Sequence, residues 1–191
     1  DPVTPAQNPD GSYGYSPYID YYNPLASIMY RDNRRERLAF IGNMFGEWQI
    51  IKGLKFKSTF GAEIRRTDNK TFSPVYQVSS SQRNLESSLT KTQDKRYNYL
   101  FENTLSYENT FAEKHSINAI IGYTNEWGRY ETLSVNARDL IGEAENLQYV
   151  DATLDKNKTT ASNSATEFGL ISYLGRVHYD YDDKYLVTVT Y

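Results

Sequence analysis

The residues able to carry chemistry are few, and their spacing is wrong for catalysis. His115 and His178 are the only two histidines in 191 residues, and no Ser or Asp stands near either in a nucleophile-elbow pattern. There are no cysteines, which removes disulfide frameworks, thiolate zinc sites and thiol nucleophiles together. Asp182-Asp183 reads as turn chemistry, because too few oxygen ligands gather there for calcium. No catalytic residue, metal site or cofactor is expected, and the chain is not read as an enzyme. What remains is recognition chemistry. Glu47, Lys55, Lys57, Glu63, Glu102 and Arg176 recur on alternate residues of apolar stretches, where they can bind water or a passing polar solute. Tyr13, Tyr15, Tyr18, Tyr21 and Tyr22 form a second group, able to stack on sugar rings or pack against a protein cap.

The elements that position these residues alternate with a period of two. Leu38, Phe40, Gly42, Met44, Gly46, Trp48 and Ile50 fall on one face and Ala39, Ile41, Asn43, Phe45, Glu47 and Gln49 on the other. Lys52-Gly53 supplies a tight turn. Leu54, Phe56, Ser58, Phe60, Ala62 and Ile64 then alternate against Lys55, Lys57, Thr59, Gly61, Glu63 and Arg65. Two more hairpins repeat the scheme, one built on Tyr97–Tyr107 and His115–Trp127, the other on Ile171–Tyr181 and Tyr185–Tyr191. The reading gives about six antiparallel strands in three hairpins, preceded by a Pro- and Tyr-rich arm over 1–33. Polar loops are expected at about 67–93 and 131–165.

Two features set the class. The apolar runs last roughly 12 to 14 residues against the usual 5 or 6 of soluble sheets, enough for a tilted strand to cross about 30 Å of hydrocarbon. Short and long connections also alternate strictly, as they do in barrels whose short turns face the periplasm and whose long loops face outside. Aromatic side chains beside every short turn (Trp48 and Phe56; Tyr107 and Phe111; Tyr179, Tyr181 and Tyr185) fit an interfacial girdle. Mean hydropathy of -0.70 does not oppose this, since only every second strand residue of a barrel meets lipid. A net charge of -3 argues against nucleic acid as a partner. Six strands cannot close a membrane barrel, so an all-β, incomplete transmembrane barrel segment is expected, part of something larger.

The chain resembles the barrel region of SusC/RagA-type TonB-dependent outer-membrane transporters. The matching pieces are Asn23-Pro24-Leu25-Ala26, Gly42-Asn43 leading into Ile50-Ile51-Lys52-Gly53-Leu54-Lys55-Phe56, and Tyr97-Asn98-Tyr99 with Glu102-Asn103-Thr104-Leu105-Ser106-Tyr107. Lys114-His115-Ser116-Ile117, Gly122-Tyr123 and the run from Gly175-Arg176-Val177-His178 to Lys184-Tyr185-Leu186 follow in family order. The resemblance implies import of oligosaccharides or peptides across the Gram-negative outer membrane. It implies contact with outer-membrane lipid, a SusD-like surface lipoprotein over the extracellular mouth, and energy from the TonB complex through a plug that has no counterpart here. The six charged strand residues would face the lumen, and the tyrosine arm would face the partner or ligand. In such a protein the N-glycosylation patterns Asn69-Lys70-Thr71 and Asn157-Lys158-Thr159 have no expected use. The rival reading is a soluble or surface tyrosine-rich β-sheet module that binds glycans, which predicts short strands over one buried face. A barrel hydrolase would need a Ser-His pair on one wall, and a passive porin would lack the plug.

Overall fold

The computed structural model describes residues 4–19 and 21–191; Pro2 of the expected arm lies outside the described residues. After the helix α1 (Pro24–Met29) come the strands β1 (Asp32–Ile51), β2 (Leu54–Ser73), β3 (Tyr76–Gln77), β4 (Arg83–Asn84), β5 (Ser88–Phe111), β6 (His115–Arg138), β7 (Thr160–Tyr181) and β8 (Tyr185–Thr190). Six of them form one antiparallel sheet in the order β1-β2-β5-β6-β7-β8, not closed into a barrel. Each strand therefore neighbours the next main strand in sequence, as the three-hairpin reading required. β3 and β4 form a separate two-residue ladder, Tyr76 opposite Asn84 and Gln77 opposite Arg83.

The strands outrun the expectation of 12 to 14 residues. β1 and β2 have 20, β5 and β6 have 24 and β7 has 22. The expected loops 67–93 and 131–165 shrink to 74–87 and 139–159. The cause is visible in the side chains. Where the apolar period stops, polar pairs take over the ladder: Thr92 with Ser134 at 3.4 Å, Asn136 donating to Thr90 at 2.8 Å and Thr132 donating to Asp94 at 2.6 Å. Phe72 is the one apolar residue of 67–73 and Leu89 that of 88–93, too few to show a period, so periodicity does not announce these extensions.

By contact the chain divides into two units. One comprises Leu38–Arg66, Lys95–Glu131 and Ala165–Tyr191, here called the wall; the other comprises Asp1–Arg37, Thr67–Asp94 and Thr132–Ser164, the loop unit. Among the described residues of the wall, Gly128 alone is buried, and large apolar side chains stand exposed throughout, Leu38 by 75% and Met44 by 70%. A soluble sheet module would bury one of its faces under a core; this wall buries neither. The loop unit differs. It holds every buried apolar side chain described, including the cluster of Phe72, Leu89 and Leu140 with Val150 packed against it.

The three short turns are set by backbone conformation. Gly53 takes φ +84, and a side chain there would meet the Glu108 carbonyl oxygen at 2.2 Å. The other two turns repeat one pattern, Phe111-Ala112-Glu113-Lys114 and Tyr181-Asp182-Asp183-Lys184. Both central residues have positive φ (50 and 59, then 53 and 53), and the Lys N–H returns to the aromatic residue's carbonyl. Successive turns are joined through the main chain: Glu108 N–H donates to Gly53 O at 2.8 Å, and Asp182 N–H donates to Lys114 O at 2.8 Å.

Candidate functional site

On one face of the wall the charged residues gather. Glu47 and Lys55 approach to 3.7 Å, and the Lys57 ammonium lies 4.6 Å from the centre of the Phe45 ring. Glu63 pairs with Arg65 on its own strand and accepts from Asn98 Nδ2 of β5 at 3.1 Å. The same face continues across Gly128, where an added side chain would meet Asn98 Oδ1 at 2.8 Å and the Phe168 ring of β7 at 2.2 Å. Gly122 likewise lies under Leu174, 2.8 Å from an added Cβ. By strand alternation Glu102 shares this face with Asn98, and Arg176 shares it with Leu174. All six charged residues singled out in the sequence therefore lie on one face. Among the described residues Glu102 and Arg176 form no ion pair.

The opposite face carries rings. Phe60, Tyr99 and Trp127 of three neighbouring strands stack in a row, with centroids 6.1 and 5.7 Å apart. Tyr123 meets Tyr173 at 5.5 Å, and His115, Tyr181 and Tyr185 meet beside the short turns. Each histidine pairs with a hydroxyl across its hairpin or on a neighbouring strand. His115 Nδ1 shares a 2.7 Å hydrogen bond with the Tyr179 hydroxyl, and His178 Nδ1 shares one of 2.8 Å with Thr188. No metal-ligand cluster occurs among the described residues.

The tyrosine arm is more ordered than an open loop. Asn23 is its hub. Its Oδ1 caps α1 by accepting from the Leu25 and Ala26 N–H groups, and its Nδ2 donates to Ala6 O at 2.7 Å and Gly14 O at 2.8 Å. Gln82 closes the knot, accepting from Asn23 N–H at 2.7 Å and donating to Asn23 O at 2.9 Å. Tyr13 is packed edge-on against Tyr30, which stacks on Tyr76 at 4.4 Å. Tyr15, Tyr18, Tyr21 and Tyr22 remain exposed, Tyr18 by 89%. The arm thus splits into one structural tyrosine and four presented ones.

Several contacts here escape a reading of single residues. Lys158 bridges Glu86 and Asp139, joining the two long connections, and both carboxylates hold its ammonium above the usual lysine range. The hydrogen bond and charge of Arg34 keep the Glu145 carboxyl below its ordinary value. Arg65 and Asn98 complete the Glu63 cluster. Each of these ties joins residues the alternation assigns to the right strand or loop, but only the three-dimensional pairing selects them.

No family model matches the chain. Sequence comparison finds TonB-dependent receptor P39 of Formosa agariphila, 28% identical over 188 residues, covering 95% of this chain and 17% of that protein. TonB-dependent receptor P26 of the same organism is 25% identical, covering 98% of this chain and 19% of the receptor. Among solved structures, the RagAB peptide transporter superposes with a TM-score of 0.77 at 19% identity, covering 88% of this chain and 18% of that one. The RagAB peptide importer in its open-open state gives 0.72 at 21% identity, covering 87% and 18%. At such identity the structural likeness is one of fold, and the chain spans less than a fifth of the length of the relatives it matches.

Proposed function

We propose that this chain, a barrel-wall segment of the SusC/RagA type of TonB-dependent outer-membrane transporter, forms part of the path by which oligosaccharides or peptides enter the cell. The observation that carries the reading is the two-faced wall: a charged face with cross-strand pairs, and a ring-bearing face with no core to cover it. In this reading the rings face outer-membrane lipid. About 12 residues separate His115 beside the short turn from Trp127 in the stacked row. At roughly 3.3 Å per residue and a tilt near 45° they rise about 28 Å, close to the ~25 Å apolar band of such barrels. The face with Glu47, Lys55, Lys57, Glu63, Glu102 and Arg176 then lines the lumen, where water, the plug and substrate satisfy it. Work is supplied by the TonB complex acting on the plug, and a SusD-like lipoprotein closes over the four presented tyrosines. The peptide cargo named for RagAB favours peptides among the two substrate classes.

The test is uptake of labelled peptides and oligosaccharides by cells carrying the full-length transporter. Reversing the lumen charges with Lys55→Glu and Lys57→Glu lowers uptake several-fold while surface expression stays constant, and deleting TonB abolishes it. Uptake that continues without TonB overturns the import reading. Replacing Tyr15, Tyr18, Tyr21 and Tyr22 by Ala weakens capture of the lipoprotein about tenfold or more, whereas unchanged affinity removes the arm from that interface.

A further inference from the structure

We infer that an arginine-bearing face of the loop unit binds the acidic side chains of an extended peptide, which names a cargo for the import reading and rests on that reading. The start of β1 and the end of β2 form a shallow hollow of about 440 Å³ within that unit, lined by Arg31, Asn33, Arg35, Asn69 and Thr71. Arg34 and Lys70 border it as well, and no carboxylate lines it.

Two of these cations are already answered. Arg34 pairs with Asp32 and Glu145, and the Glu145 carboxyl also feels the charge of Lys70. Arg31, Arg35 and Arg37 form no ion pair among the described residues. Strand alternation puts Asn33, Arg35 and Arg37 on one face of β1 and Asp32, Arg34 and Glu36 on the other, so the two carboxylates of this stretch point away. On β2 the residues that share a face with Asn69 are Thr67, Thr71 and Ser73, which carry hydroxyls and no charge. Neither strand therefore opposes the arginines on their own face.

Arg35 shows how a ligand is held. Its Nε donates to Asn69 Oδ1 at 2.7 Å, which fixes the plane of the guanidinium. The two terminal nitrogens stay available to grip one carboxylate through parallel hydrogen bonds. Because Asn69 is neutral, the full charge of Arg35 remains. Spacing then selects the ligand. Alternate residues of a strand stand ~7 Å apart, and so do alternate residues of an extended peptide, so Arg35 and Arg37 match acidic residues at i and i+2. Arg31 lies two such steps before Arg35, roughly 13 Å along the chain, and Asn33 fills the step between them with an amide. Each guanidinium meets its own carboxylate, and no single anion has to bridge them. No ring lines the hollow for a sugar to stack on, which favours a peptide over a sugar acid. Arg35 and Arg37 sit at odd positions of β1, as Glu47 does, so the import reading turns them toward the lumen.

The experiment is fluorescence-anisotropy titration of the full-length transporter in detergent with labelled Ser-Glu-Ser-Glu-Ser-Glu and, in parallel, Ser-Gln-Ser-Gln-Ser-Gln. The acidic peptide is expected to bind about tenfold more tightly or better, and the preference shrinks as salt is raised. The Arg35→Gln/Arg37→Gln double variant loses that preference, whereas Lys156→Gln, which removes a cation of the same unit outside the hollow, keeps it. Equal affinity for the two peptides, or a preference that survives the double variant, overturns the site. Trigalacturonate binding more tightly than the acidic peptide assigns the face to sugar acids and overturns the peptide. Uptake by cells separates this site from the reading beneath it. TonB-dependent uptake that treats the two peptides alike removes the site alone. Acidic preference in the purified protein, together with uptake that ignores TonB, leaves the binding face standing and removes the import reading.

Discussion

Asn23 shows how much one side chain can organise. Asn23 caps helix α1 ahead of Pro24, and the same amide has two further acceptors on the arm and a reciprocal pairing with Gln82. Asn23→Ala removes four side-chain hydrogen bonds at a buried position and is expected to cost the arm about 2–4 kcal/mol. Asn23→Asp keeps the cap but sets a carboxylate oxygen against the Ala6 and Gly14 carbonyls at a buried position, so it costs at least as much. Hydrogen exchange at the Leu25 and Ala26 amides ranks the two. The ion pairs of the loop unit respond to pH in opposite senses. The Glu145 carboxyl is depressed by Arg34, so its contribution is complete above the ordinary glutamate value of 4.5 and disappears as pH falls through the lower folded value. Lys158 is raised by Glu86 and then Asp139, so its contribution is complete below 10.5 and disappears as pH rises through the higher folded value. Pepsin cleavage within 139–159 is therefore expected to accelerate on acidification below 4.5, and Glu145→Gln removes that step.

The short turns make their argument at the level of elements. Asp182 and Asp183 occupy left-handed backbone that Asp tolerates, whereas Ala112 and Glu113 occupy the same conformation without that tolerance. Replacing Ala112-Glu113 by Asn-Gly is expected to stabilise the hairpin by about 1 kcal/mol, read as a higher unfolding midpoint of the full-length barrel in urea. Gly53→Ala acts the other way, because its side chain meets the Glu108 carbonyl and the strained φ together, and it lowers the same midpoint. Strand identity, order and the three turns were legible because apolar alternation brackets each turn, with Gly53 and Asp182-Asp183 marking two of the three. Strand length was not. Residues 67–73, 88–93 and 160–165 carry too few apolar side chains to show a period and join the ladder with polar pairs such as Asn136–Thr90, whereas 131–138 does alternate, Leu133, Val135 and Ala137 against Thr132, Ser134 and Asn136, within a stretch whose polar residues read as loop. Helix α1 was hidden for a different reason: six residues inside a Pro- and Tyr-rich stretch are too few to show a helical repeat.

At the scale of the whole molecule, the wall and the loop unit follow different rules of stability. The loop unit buries Phe72, Leu89 and Leu140 in a small core of its own. The described wall residues expose Leu38, Phe40, Met44 and Trp48 on one edge strand and Tyr185, Val187 and Val189 on the other. Leu89→Ala is accordingly expected to cost about 2–5 kcal/mol, seen as faster proteolysis of the long connections. Met44→Ala changes protease resistance little, because its side chain leaves no protein cavity behind. The charged row was readable in the sequence as a face, since alternation alone assigns it. Which members touch was not, because Glu47–Lys55 and Glu63–Asn98 depend on register between strands.

The main-chain links from Gly53 to Glu108 and from Lys114 to Asp182 involve no side chain. Each finished hairpin therefore presents its successor with a docking mark made of backbone alone, and that mark survives nearly any substitution that keeps the turn. An insertion machine adding hairpins one after another could align every newcomer on the rim of the last. Relatives could then diversify their outward surfaces freely while inheriting one order of assembly.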